Sequence, residues 1–348
     1  MFVNWAHYII PKCSFVFTYI SNPLFIYLIN HNHVLLGPYR YLLVFFAVFN
    51  MIAAMSDFLI PLTVHNYRYA FVTVLVDGPF SARSWFGEWA ISYRSAFVSG
   101  TYGILNVHFL FRYLILKQSH FITRWFIPYG LIFSALYVVF HVFIWALVDM
   151  RFLYSVPEMR DYLRSTFNDT FNEDVENINF LVALFSVNLH FQKHVQYVEF
   201  LQEVSPDIIQ RSWTGILLLT AIAGYSMLLY FVLGYKIITG INSLHGMSQN
   251  TANMQKQLFK ALTIQTVIPI LVSFTPCSLC FYGAAWKIDF LYWVYWGSAA
   301  AVSMFPFLDP MAIIFFLPAL RKQLTVMLKM KTAVVANDSD TWRAESTL

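Results

Sequence analysis

"MFPFLDPMAIIFFLPALRKQ", Met304 to Gln323, places an acid and a proline inside a run dense in apolar and aromatic residues. In a water-soluble fold Asp309-Pro310 would mark a turn. Here apolar sequence continues on both sides, so the reading depends on the solvent around the segment. In hydrocarbon a carboxylate is expensive, about 2.5–3.5 kcal/mol even on insertion scales, and must face protein and find a partner. Proline frees a backbone carbonyl one turn earlier and bends the helix. Such a bend is tolerated in a membrane where neighbours satisfy the freed group. Asp309-Pro310 therefore reads either as a structural kink or as an interior hinge for a conformational switch.

Composition decides the solvent. Of 348 residues, 59% are hydrophobic, 19% aromatic and 11% charged, against about 25% charged in a soluble domain. So little charge cannot cover a water-exposed surface, and the chain reads as an integral membrane protein. A span needs roughly 20 mainly apolar residues. Seven segments qualify, at about 9–29, 41–64, 95–116, 125–147, 213–238, 261–283 and 290–316. The expected fold is an all-α seven-transmembrane bundle formed by one domain, 1–330, with a flexible cytoplasmic tail, 331–348. Two apolar patches, "YAFVTVLV" and "FLVALFSVN", are too short to cross and read as packed loop structure or interfacial patches. The opening "MFVNWAHYII" lacks a basic n-region and a small-residue cleavage site, so the first apolar segment is expected to stay as an anchor.

With the N-terminus outside, inner loops, helix ends and tail hold twelve Lys/Arg and the outer side nine, while the acids divide thirteen outside to three inside. The positive-inside rule thus favours N-outside. "NDT" at Asn168 is a glycosylation sequon that this topology places outside. Beyond the seventh span, Leu317, Leu320, Leu324, Met327 and Leu328 recur at helical spacing among Arg321, Lys322 and Lys329. This reads as an amphipathic helix at about 317–330 on the anionic inner leaflet, or as a plain stop-transfer flank.

Other polar groups stand out against the apolar background. Arg112, about 25 Å into the third span from Ser95, is read at the cytoplasmic edge, either snorkelling or, with Tyr113, forming a lock or partner contact. Phe111 precedes it, so any ionic partner comes from another helix. Lys256 and Lys260 lie i,i+4 on a basic face leading into the sixth span, which Pro269 and Pro276 bend. Asp57 is either a polar anchor or a bond to a neighbouring helix. Ser99, Tyr102, Tyr225, Phe274, Tyr282, Trp293 and Trp296 form a search list of ligand-lining residues, chosen only by depth and type.

Enzyme chemistry finds little footing. "HFQKH" spaces His190 and His194 as a metalloprotease helix would, but Phe191 stands where the glutamate is needed. "CSLC" at Cys277–Cys280 has no second pair and lies in a span, where packing is the simpler role. No cofactor or metal is indicated, and the spread of +4 net charge offers no nucleic-acid patch. A ligand-gated channel or transporter with seven spans is the rival class, because Asp57 and Asp309 are both intramembrane acids. The absence of an internal repeat weighs against it.

Taken together, "NWAHYIIPK", "GPYRYLLVFFAVFN", "IPLTVHNYRYAF", "HFLFRYLIL", "QKQLFKALTIQTVIP" and "FPFLDPMAIIFFLP" resemble the nematode chemoreceptors of the Str superfamily, most of all serpentine receptor class J. The resemblance implies a G-protein-coupled receptor in the plasma membrane of a sensory-neuron cilium. It would bind a small environmental or pheromone-like cue within the helix bundle and signal to a heterotrimeric G protein, with a dimer left open. By the same resemblance, Arg112-Tyr113 matches the arginine motif ending helix three, Gln255 to Thr266 the inner part of helix six, and Asp309-Pro310 the acid–proline hinge of helix seven. Departures from the wider rhodopsin-like pattern are Phe111 before the arginine, Ile313 after the proline, and the missing cysteine pair between helix three and the second outer loop.

Overall fold

The structure is a computed structural model and describes residues 2–32, 36–75, 77–117, 122, 124–186, 205–243, 249–288 and 292–329. Its order is α1 (Phe2–His31), α2 (Tyr39–Leu59), β1 (Thr63–Tyr67), β2 (Ala70–Leu75), α3 (Trp85–Leu116), α4 (Leu131–Phe152), α5 (Pro157–Phe171), β3 (Asn179–Leu184), α6 (Pro206–Ser243), α7 (Gln249–Pro269), α8 (Thr275–Ala285) and α9 (Tyr292–Phe316). A last helix, α10, covers 318–329. The seven spans are α1, α2, α3, α4, α6, the α7–α8 pair and α9.

Six of these are apolar enough to cross a membrane by composition alone. The exception, α3, carries Glu88, Arg94, Asn106, His108 and Arg112, and it is the central helix, packed on α2, α4, α6 and α7. A helix surrounded by protein does not need an apolar surface for lipid. Close packing demands small residues here: a Cβ on Gly100 would lie 2.7 Å from the Phe49 ring and 2.8 Å from Val142. Helix α3 begins at Trp85, capped by the Ser84 hydroxyl accepting from the Gly87 amide at 3.0 Å. The sequence reading began this span ten residues later, at Ser95, and so left Arg94 outside it.

Prolines are accommodated in two ways. Before Pro276 the sixth span widens into a π-helical turn, Ile270–Phe274, which absorbs the missing amide. In α9, Pro310 frees the carbonyl of Pro306, and Asn22 of α1 donates its side-chain amide to that oxygen at 3.0 Å. The bend is therefore held by a hydrogen bond from another span.

The two short apolar patches are strands, where the sequence reading had packed loops or interfacial patches. β1, β2 and β3 form an antiparallel sheet in that order, with His65 opposite Val72 and Val72 opposite Val182. Ala70, Val72, Val74, Phe180, Val182 and Leu184 face α5, whose Met159, Leu163 and Phe167 complete a separate core. Phe71, Leu75, Leu181 and Ala183 face the helix bundle. A strand buried on both faces shows no polar alternation, which is why these runs read as uniformly apolar.

No disulfide occurs, and all three cysteines are free. Asn179 instead ties β3 to the start of α3. Its side-chain amide reaches the carbonyls of Phe80 (2.7 Å) and Ala82 (2.6 Å), and its oxygen accepts from the Ser84 amide (2.9 Å). Gly87 makes room, since a Cβ there would lie 2.0 Å from the Asn179 nitrogen. Buried Arg160 adds hydrogen bonds to the Val175 carbonyl (2.6 Å) and Ser155 (2.7 Å). At the other end of the bundle α10 buries Leu320 and exposes Arg321, Lys322 and Lys329, and Asn32 hydrogen-bonds Gln323.

Candidate functional site

The sheet is a lid over a cavity of about 100 Å³. Three apolar side chains of its bundle-facing side, Val64, Phe71 and Leu181, form the roof together with Thr73, and Trp145 and Phe281 stand in the walls. A few polar side chains of the helices converge on the cavity. Asp57, in the last turn of α2, accepts from Arg94 of α3 through Nε at 2.8 Å and Nη2 at 2.5 Å, and both side chains are buried. Asp149, in the last turn of α4, is also buried and accepts from the Ser95 hydroxyl. Cys277 and Cys280 of α8 and Ser298 and Ser303 of α9 complete the lining. A largely apolar cavity with a few convergent polar groups is the usual form of a small-molecule site.

At the opposite end a second polar cluster joins α2, α3, α7 and α9. Arg112 is 3% exposed. Its guanidinium carbon stands 3.6 Å from the centroid of the Tyr39 ring, and Nη1 reaches Gln255 Oε1 at 3.4 Å. Tyr39 is fixed in turn by its hydroxyl, 2.8 Å from His108 Nδ1. Arg112 Nε and Nη2 are buried without a hydrogen-bond partner among the described residues. Of the two readings of this arginine at the cytoplasmic edge, snorkelling or a lock or partner contact, burial under an aromatic face does not fit the first. Asp309, 1% exposed, receives Asn50 Nδ2 at 3.5 Å and Gln265 Nε2 at 3.4 Å. Pro310 beside it is buried, Tyr113 is half-buried, and Lys256 and Lys260 are exposed on α7.

The members of the ligand search list whose side chains are described do not line the cavity. Ser99 is buried and lies 3.2 Å from His141 Nδ1. Tyr102 is buried, with its carbonyl accepting from Tyr230. Phe274 packs into the core beside the cavity. Tyr282 sits 2.9 Å from the Thr220 hydroxyl and stacks on Trp286. Tyr225 is 51% exposed and lines a wide apolar groove between α4 and α6. The side chains of Trp293 and Trp296 lie outside the described residues, as do His190 and His194. Three cavity residues, Arg94, Ser95 and Asp149, were missed as site residues. The signal was present in Arg94 and Asp149: ionisable residues within reach of apolar runs, each counted only among the outer-side charges.

Asn168 is exposed near the end of α5, a helix opened by Pro157 and closed by Asn172 in the left-handed region (φ 55°). On the same lid His65 is buried against Phe167 and Phe171, 3.0 Å from the Thr166 hydroxyl, and burial lowers its imidazole to about 4.

Comparison with known proteins is consistent in kind. The chain is 30% identical to serpentine receptor class J-38 of Caenorhabditis elegans, over 97% of this chain and 98% of that receptor. It is 25% identical to the G-protein coupled receptor str-33 of the same organism over 77% and 75% of the two chains. Serpentine receptor class r-10 of C. elegans is 23% identical over 94% and 92%. The sequence model of the family described as serpentine type 7TM GPCR chemoreceptor Srj matches residues 1–324. The chain is a member of the Srj family of seven-transmembrane chemoreceptors.

Proposed function

We propose that this receptor binds a small environmental or pheromone-like molecule in the cavity beneath the sheet and signals to a heterotrimeric G protein at the opposite end. The sheet, the Asn168 sequon and the N-terminus then lie outside the cell, and Lys256, Lys260 and α10 lie inside. The observation that carries the reading is the pairing of a largely apolar cavity with a few polar groups at one end with a covered arginine at the other.

The contacts suggest how the ends communicate. Span six supplies Gln255 to Arg112 and Gln265 to Asp309, while its outer part, α8, supplies Cys277, Cys280 and Phe281 to the cavity. A ligand must favour one of two bundle states to signal. Here it would do so by repacking α8 about the π-turn before Pro276, drawing α7 away from Arg112 and Asp309. The structure described is then the resting state, with Arg112 covered and the G protein's contact closed.

The test is second-messenger output in cells that express the receptor with a promiscuous Gα and are screened against volatile and soluble cues, with whole-cell current recorded in parallel. A response that needs the G protein and survives ion replacement supports the reading. A G-protein-independent current evoked by the same cue would make the protein a channel. Enzymatic removal of an Asn168 glycan, absent from Asn168→Gln, tests the orientation.

A further inference from the structure

The acidic groups of the cavity outnumber its basic ones. Two carboxylates, Asp57 and Asp149, line it against a single guanidinium, Arg94. Arg94 spends both of its contacts on one oxygen of Asp57. The other oxygen, Asp57 Oδ2, is buried and has no hydrogen-bond partner among the described residues. Asp149 receives a neutral hydroxyl from Ser95, and no basic side chain pairs with it among the described residues. A buried carboxylate without a cation is costly in a low-dielectric site, and an arriving positive charge relieves that cost.

We propose that the ligand is a small organic cation, a protonated amine whose N–H groups bond Asp149 and the free oxygen of Asp57 while its alkyl body lies against Phe71, Trp145 and Phe281. The assignment rests on the cavity being the ligand site, as proposed above, and deepens it. An anionic cue is disfavoured, because the one cation available is already neutralised and Asp149 repels a second carboxylate. A neutral alcohol would leave the second carboxyl group without a cation. The volume sets the size: an apolar cavity of about 150 Å³ holds benzene, so about 100 Å³ suits an amine of roughly four or five non-hydrogen atoms. Ligand-efficiency limits then put the dissociation constant no tighter than about micromolar.

The experiment uses the full-length receptor purified in detergent, without G protein. Thermal unfolding is followed with n-butylamine, isobutylamine and pyrrolidine, and with 1-butanol and butyrate as matched neutral and anionic probes. At millimolar concentration at least one amine raises the unfolding temperature by several degrees, and neither butanol nor butyrate does so. Asp149→Asn weakens that amine at least tenfold. Asp149→Glu, which keeps the charge, and Ser95→Ala, which keeps the carboxylate, retain the preference for the amine and guard against a misfolded Asn variant. No shift with any of the three amines, equal shifts with butanol or butyrate, or unchanged affinity in Asp149→Asn would each overturn the assignment. Binding is read here without coupling, so a failure of the amine class and a failure of the G-protein reading give different patterns. The first leaves cue-driven signalling intact, and the second leaves amine binding intact.

Discussion

Arg112 lies with its guanidinium 3.6 Å above the Tyr39 ring, so the third span is fastened to the second by a cation on an aromatic face. Such a contact contributes about 0.5–2 kcal/mol, weak enough for a bound ligand to outweigh. Two nitrogens of Arg112, Nε and Nη2, without a hydrogen-bond partner among the described residues give it further reason to accept a new partner once α7 withdraws. Replacing Tyr39 by Leu should therefore raise cue-independent nucleotide exchange about threefold to tenfold. Tyr39→Phe keeps the ring, loses the contact with His108 and should raise it less. Basal second-messenger level at matched surface expression reads the effect, and a silent Tyr39→Leu receptor at normal expression would remove the lock from the account.

Asp309 performs a related task by accepting from α2 and α7 together. Gln265→Leu leaves the carboxylate with Asn50 alone, at a cost of about 1–3 kcal/mol for the lost acceptor pairing. The expected result is a lower unfolding temperature with a raised basal signal. Asp309→Asn removes the charge and should cut the cue response at least tenfold at normal surface level. An unchanged response would reduce the acid and its proline to a structural kink.

The lid can be loosened without touching either cluster. Asn179→Ala removes the side-chain bonds that join β3 to the start of α3, costing about 2–4 kcal/mol. Gly87→Ala forces the same side chain away and should act alike. Both variants should be cut faster by protease in the segment between α2 and α3, with the helical content of the bundle retained. If neither changes the cleavage rate, the hydrophobic core beneath α5 holds the lid by itself.

Acid should open the same lid. His65 is held near 4 when folded and returns to about 6.5 when exposed. Between those values the unfolded lid binds a proton that the folded lid refuses, so stability falls as pH drops from about 6.5 toward 4. The full loss is on the order of 3 kcal/mol. Amide exchange across β1 and β2 should accelerate at pH 5 relative to pH 7 beyond the intrinsic chemical change. In His65→Phe that extra acceleration should disappear.

The spans were legible because the bilayer demands length and apolarity together, and even the acid–proline pair at Asp309-Pro310 announced itself as an anomaly. The sheet was not legible, since strands buried on both faces carry no alternation to betray them. The cavity was not legible for a related reason. Depth along a span can be counted from the sequence, but the direction a residue faces cannot be read from a helix that is apolar all round. Ser99 and Tyr102 were placed at a plausible depth and face other helices. Arg94 and Asp149 line the cavity and were counted only among the outer-side charges, because charge in a membrane sequence is first read as a boundary.

The central claim is that a cue bound under the lid releases α7 from Arg112 and so couples a G protein. Its most direct test is nucleotide exchange by a purified heterotrimer on the receptor reconstituted in vesicles, with a cue taken from the cellular screen. The account predicts cue-dependent acceleration in the native receptor and its loss in Arg112→Ala at equal cue binding. Cue-gated ion flux through the same vesicles without the heterotrimer, or full acceleration by Arg112→Ala, would contradict it.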